Sequence, residues 1–163
     1  KVEKIATHGG SIRIYIKKDK NVKIEKNVKE MIKEEEGFGI KNFKTYQKFG
    51  ENVYKIRKNI INNLDKLKKN GKKIIGYGAP AKATTALNFF GVRDQIEFIV
   101  EDNKLKHNKF IPGVNIPIYS KKKIKDKKNL ILVLAWNFFE DIKKNNKHIS
   151  NDFINIKSLE SEN

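Results

Sequence analysis

Apolar residues follow two different rhythms along the chain. Ile12, Ile14 and Ile16 alternate with Arg13 and Tyr15, between Gly9-Gly10 and a basic run, which predicts a strand. A lone strand is not stable, so this one requires a partner. Residues 22–36 suit a polar helix, interrupted by the turn-forming Gly37 and Gly39. From Asn42 the residues Phe43, Tyr46, Phe49, Val53, Ile56, Ile60, Leu64 and Leu67 recur every three or four positions. That spacing predicts a long amphipathic helix ending near Asn70-Gly71, its stripe a packing face.

Beyond Gly71 the segments shorten and become more apolar. Residues 73–78 read as a buried strand running into a Gly turn, and 79–90 as a helix stopped by Gly91. Ile96–Val100 is a second strand, followed by a Pro/Gly-containing stretch over Ile111–Ile118. Leu130–Ala135 is the most apolar strand, residues 138–144 a helix, and Phe153–Ile156 a last strand. Alternating strands and helices predict an α/β fold, a parallel sheet with helices on its faces. The tail from Ser158 to Asn163 is expected to fray.

Composition narrows the function classes. The 163 residues fit one domain, or one domain with an extra arm, and the hydrophobic share of 38% still leaves clear apolar runs. With no cysteine, disulfides, thiolate metal sites and cysteine nucleophiles are excluded. No apolar run approaches the ~20 residues of a membrane span, and no signal-peptide pattern opens the chain; a cytoplasmic protein without membrane partners is expected. Lys+Arg number 36 against 19 Asp+Glu, a net charge of +17. That charge invites a nucleic-acid reading. Arginine, which reads bases bidentately and stacks on them, occurs only at 13, 57 and 93. The lysines are spread over Lys17, Lys18 and Lys20, Lys66–Lys73 and Lys121–Lys128 in an Asn- and Ile-rich background. Compositional bias explains such a surface more simply than a nucleic-acid partner does.

Three constellations could carry chemistry. In Gly76-Tyr77-Gly78-Ala79-Pro80-Ala81-Lys82, two glycines permit a tight turn and Pro80 suits the start of the next helix. Amides at that helix start would attract a phosphate or carboxylate, with Lys82 adding a point charge. As a dinucleotide fingerprint it has Ala81 at the third glycine, with Glu101 or Asp102 as the acidic residue some 20 positions on. An anion site and a purely structural turn both remain open. His8-Gly9-Gly10-Ser11 could present an imidazole to a substrate, although a lone histidine is more often structural. His107 and His148 read as surface residues, and no metal-ligand spacing links the three histidines. Ala135-Trp136-Asn137-Phe138 stands at a strand's carboxyl end, where open sheets bind ligands, and Trp136 could equally be core.

Four blocks of this sequence, THGGSIRIY at Thr7–Tyr15, IIGYGAPAKATTALNFFG at Ile74–Gly91, IPGVNIPI at Ile111–Ile118 and LAWNFFEDI at Leu134–Ile142, carry a further signal. In order and spacing they resemble the C-terminal domain of sugar C-methyltransferases, which act on deoxysugars linked to a nucleoside diphosphate. The resemblance implies a Rossmann-like, three-layer, open and mostly parallel sheet over 71–163, preceded by a strand segment (1–20) and a helical connection (21–70). The strand would pair with a preceding methyl-donor domain or with the local sheet. It further implies a longer enzyme, with zinc in an N-terminal part and S-adenosylmethionine in a central domain. Both would lie upstream, with no cofactor assigned to this chain, which alone is not expected to catalyse.

By the same resemblance, His8, Gly9, Gly10, Ser11 and Arg13 match an HGGS-L-R block, and Gly76 to Lys82 match GYGAPAK. Asn103 and Lys106 fit a D-x-N-P-x-K-Q-G run, and Trp136 with Asn137 fit LAWN. The substrate-binding set so implied is His8, Gly9, Ser11, Arg13, Tyr77, Gly78, Ala79, Pro80, Lys82, Asn103, Trp136 and Asn137, around a TDP-type keto-deoxysugar. Departures from the pattern are Glu101 for Asp, Lys104 for Pro, His107 for Gln, Asn108 for Gly and Asn115 for His. The competing expectations are a free-standing NAD-, CoA- or nucleotide-binding module and a basic nucleic-acid-binding protein.

Overall fold

The Ile-, Leu- and Val-rich runs beyond Gly71 form the sheet that their pattern predicts. The computed structural model describes residues 1–19 and 21–161. Lys20 of the basic run and the tail residues Glu162 and Asn163 lie outside them. The chain divides into two compact units, Lys1–Val53 and Tyr54–Asn163.

In the first unit, β1 (Val2–Ile5) pairs antiparallel with β2 (Ser11–Ile14), Val2 opposite Ile14 and Ile5 opposite Ser11. The partner that the Ile12 strand requires is therefore β1. Its Val-Glu-Lys-Ile sequence is too short to show an alternation of its own. The turn between the strands places His8, Gly9 and Gly10 at φ 56, 87 and 123°. Helix α1 (Lys26–Phe38) runs through Gly37 and stops at Gly39, whose left-handed φ of 84° lets its amide return to the Glu35 and Glu36 carbonyls.

Helix α2 (Phe43–Lys69) contributes its first turns to this unit and its later turns to the second. Its stripe changes character along its length. Phe43, Tyr46 and Phe49 are exposed, whereas Ile60 and Leu64 are fully buried. The packing face is realised from Ile56 onward.

The second unit holds β3 (Ile74–Tyr77), α3 (Ala81–Phe90), β4 (Ile99–Val100), β5 (Lys109–Phe110), β6 (Pro117–Tyr119), β7 (Leu130–Val133), α4 (Phe139–Asn145) and β8 (Asp152–Asn155). The sheet order is β5-β6-β4-β3-β7-β8, parallel throughout except for the β5–β6 edge pair. This is the Rossmann-like α/β sheet expected from the sequence. β5 and β6 lie in and beside the Pro/Gly stretch, where two- and three-residue strands leave no readable period. Asn108 takes φ 59°, where the resembled pattern has Gly. A short polar side chain that tolerates left-handed backbone keeps that turn intact.

Alternate residues of each strand face opposite layers. Ile74, Leu130 and Leu132 meet Ile60 and Leu64 of α2 and Ala83 and Leu87 of α3. Ile75, Tyr77, Ile131 and Val133 meet Phe139 and Ile142 of α4, with Ile149. Each such Leu or Ile contributes about 1.5–3 kcal/mol by leaving water. The stretch from Ser158 to Ser161, expected to fray, is anchored. Leu159 is 1% exposed, the Asn59 amide donates to Glu160 O at 2.8 Å, and Asn63 donates to Leu159 O and Ser161 O at 3.0 and 2.8 Å. Two buried asparagines of α2 pin the tail through Ser161. No helix among the described residues is long and apolar enough to cross a membrane.

Candidate functional site

The strand order reverses around β3, whose neighbours β4 and β7 are reached in opposite directions. Such a point leaves a crevice beyond the carboxyl ends of the strands. Here it is an opening of about 340 Å³ lined by Tyr77 at the end of β3 with Gly78 and Pro80 after it, Glu101 and Asp102 after β4, and Ala135 after β7, among others.

Both glycines of the turn have packing reasons. A Cβ on Gly76 would come within 2.7 Å of Ile99 Cγ1 and 3.1 Å of Leu134 Cδ1. Gly78 has φ 89°, and its Cβ would lie 3.0 Å from Ala135 Cβ. The leading amide of the turn is already filled. Ala79 N–H donates to Glu101 Oε2 at 2.7 Å, while Glu101 Oε1 accepts from the Asp102 and Asn103 amides at 2.9 and 3.1 Å. Lys106 stands 3.6 Å from the same carboxylate and donates to Ala79 O at 2.8 Å. Burial pushes the Glu101 carboxyl up, but the amides and Lys106 outweigh it and hold it below the usual range. The anion that the turn attracts is therefore the chain's own.

A second network closes the other wall. Tyr77 OH donates to Asp102 Oδ2 at 2.8 Å, and Lys121 Nζ lies 2.8 Å from Asp102 Oδ1, 3.1 Å from Asn146 Oδ1 and 3.4 Å from Tyr77 OH. Burial and the adjacent Asp102 push the Tyr77 hydroxyl up. Desolvation works against ionising Asp102 and Lys121, yet their mutual pairing, with Tyr77, leaves the acid below and the amine above its ordinary value. The charges of Glu101, Asp102, Lys106 and Lys121 cancel. Such a crevice offers hydrogen-bond donors and acceptors without a net field, which suits a neutral hydroxylated ligand better than an anion.

Of the residues singled out from sequence, Tyr77, Gly78 and Pro80 line this crevice, and Ala79 ties into its wall. Lys82 Nζ lies 4.8 Å from the Trp136 ring centroid, and half-buried Trp136 packs against the core, as one of its two readings has it. Asn103 accepts from Leu105 N–H at 3.0 Å and caps a short turn; Asn137 is exposed on a 3-10 turn after β7. His8, Gly9, Ser11 and Arg13 belong to the first unit. There the Ser11 hydroxyl donates to Thr7 O at 3.0 Å, and His8 is exposed.

Residues absent from the sequence-derived set complete the site. They are Glu101, Asp102 and Lys106, legible as the polar end of β4, and Lys121, for which no local signal exists. His107, expected at the surface, is half-buried, its Nε2 2.7 Å from Glu101 O. Among the described residues no group of three His, Cys, Asp or Glu could hold a metal ion, and the sequence has no cysteine. These residues do not fit zinc.

Residues 6–155 match the family model for the C-methyltransferase C-terminal domain. Over 143 residues the chain is 33% identical to the C-methyltransferase NovU of Streptomyces niveus, a match covering 86% of this chain and 34% of that protein. The chain thus spans about a third of the length of this curated relative. The family match covers the turn and second strand of the hairpin, the Gly turn and the strand-end Trp136 in one continuous stretch, and the chain belongs to the C-methyltransferase C-terminal domain family.

Proposed function

We propose that this chain helps a C-methyltransferase to hold a nucleotide-linked keto-deoxysugar, with the sugar in the crevice between Tyr77, Asp102 and Lys121. The observation that carries this reading is the charge-balanced Tyr77–Asp102–Lys121 network at the strand-order reversal. S-adenosylmethionine, the methyl donor of the proposed reaction, is assigned to a region outside this chain. In that chemistry a base takes the acidic proton beside the sugar's keto group, and the carbanion attacks the methyl sulfonium. This chain's part is to bind and orient the sugar and to complete the cleft; alone it does not turn over.

The filled turn speaks against a free-standing NAD or CoA module. A pyrophosphate at Ala79 N–H would have to displace Glu101 Oε2, whose carboxylate the Asp102 and Asn103 amides hold in place. Titration with a TDP-linked keto-deoxysugar tests the proposal, followed by emission from Trp136, the single tryptophan. A saturable change is expected, weakened about tenfold or more in Asp102→Asn, because a charge-assisted hydrogen bond is lost. No saturable response, either in this chain or in a longer enzyme that contains it, refutes the reading.

A further inference from the structure

Next to the crevice lies a second concavity of opposite electrostatic character. It has a volume of about 430 Å³, walls of Lys121, Lys122, Lys125, Lys127 and His148, and apolar contributions from Ile124 and Ile149. Lys121 is turned to Asp102 and Asn146. Lys122, Lys125 and Lys127 form no ion pair among the described residues. The one acid of the segment, Asp126, accepts from the Lys128 amide at 2.9 Å and so caps its own loop. Three exposed, uncompensated ammonium groups thus ring one opening. Their summed positive potential lowers the free energy of an anion placed among them, and its binding relieves their mutual repulsion.

The lysine-rich composition accounts for lysines in general. It does not account for the contrast between a crevice whose charges cancel and a basin in which three of four lysines lack an ion pair, the fourth, Lys121, being paired to Asp102 of the crevice. From this contrast we infer that the Lys122–Lys125–Lys127 basin binds the phosphate end of a phosphorylated ligand. Its neutral, hydroxylated end then occupies the crevice on the other side of Lys121. Only the assignment of that neutral end rests on the proposed function; the phosphate site stands on the basin itself. The phosphates are thereby placed away from the Gly turn.

Calorimetric titration of the chain with inorganic pyrophosphate at low salt tests the basin. The comparison is Lys122→Gln/Lys125→Gln/Lys127→Gln against Lys29→Gln/Lys33→Gln/Lys48→Gln, which removes equal charge from elsewhere. All six side chains are exposed, so both variants keep the fold, which a melting curve verifies. The basin variant is expected to bind on the order of tenfold more weakly, the combined effect of three solvent-screened contacts, and the control within twofold of wild type. Equal weakening of both variants, or no binding by wild type, overturns the inference. So does a short single-stranded DNA that binds more tightly than pyrophosphate and weakens equally in both variants. Pyrophosphate bound in the basin without any response to the TDP-linked keto-deoxysugar would refute the proposed function and leave the phosphate site standing. Sugar-nucleotide affinity unchanged in the basin variant would overturn the placing of that ligand's phosphates in the basin and leave the crevice reading standing.

Discussion

Replacing Glu101 by Gln removes one charge and keeps the shape of the side chain. The carboxylate accepts three backbone amides through two oxygens, and its side chain is 15% exposed. An amide side chain has one acceptor end. If its oxygen serves Asp102 and Asn103, its NH₂ group faces the Ala79 N–H, donor against donor; the opposite flip strands the other two. One buried donor without a partner costs about 1–3 kcal/mol. In a domain of this size that corresponds to a fall in Tm of roughly 4–8 °C for a loss of about 2 kcal/mol.

The pH dependence of this difference distinguishes its cause. Glu101 stays ionised in the folded chain at pH values where the unfolded chain has already taken up the proton. Its contribution is therefore fully present above the ordinary carboxylate range, near ~4.3. It is lost as pH falls through the depressed folded value. Asp102 behaves in the same direction, but in both proteins, so its effect cancels in the difference. Melting curves of wild type and Glu101→Gln at neutral and progressively acidic pH measure the gap directly. A variant melting within 1 °C of wild type at neutral pH, or a gap that does not narrow on acidification, would refute the account of the filled turn.

Three further outcomes follow from the same geometry. Gly76→Ala forces a methyl to within 2.7 Å of Ile99 Cγ1 and is expected to cost about 1–3 kcal/mol by overpacking, read as a lower urea midpoint. Asn63→Ala releases the carbonyls of Leu159 and Ser161. It should speed amide exchange at the carboxyl end far more than in β3 or β7, and uniform acceleration would contradict the pinning. Lys82→Met removes the cation over the single indole at 4.8 Å; a shifted Trp136 emission with an unchanged melting temperature is expected.

The central sheet was largely legible because it is built from long-lived patterns. β3 and β7 are fully buried runs, and Gly71 and Gly91 stop α2 and α3 with left-handed backbone. What escaped was either short or non-local. β5 and β6 have two and three residues, and β1 has four with apolar side chains only at its ends. The tail looked polar and free because its anchors, Asn59 and Asn63, lie about a hundred positions away, at separations of 101, 96 and 98 residues. No window of sequence contains both partners of such a bond.

The candidate site divides along the same line. The Gly-x-Gly turn was visible in sequence, and both a ligand-binding and a structural reading fitted it. Two distant side chains favour the structural reading at its leading amide: Ile99, which forbids a Cβ on Gly76, and Glu101, which occupies the Ala79 amide. The local signal was sound, because the turn does attract an anion. Its ligand is simply 22 residues downstream in the same chain. Lys121 is the converse case. It sits in a basic run that composition alone explains, yet its ammonium joins Asp102, Asn146 and Tyr77 in the crevice wall and borders the basin beside it. A charge count over the run treats all its lysines alike, whereas pairing separates them. Lys121 is compensated and positions an acid and a phenol, while Lys122, Lys125 and Lys127 face solvent around one opening. Which members of a charge run the fold pairs, and which it leaves to solvent, is thus information that no count of the run contains.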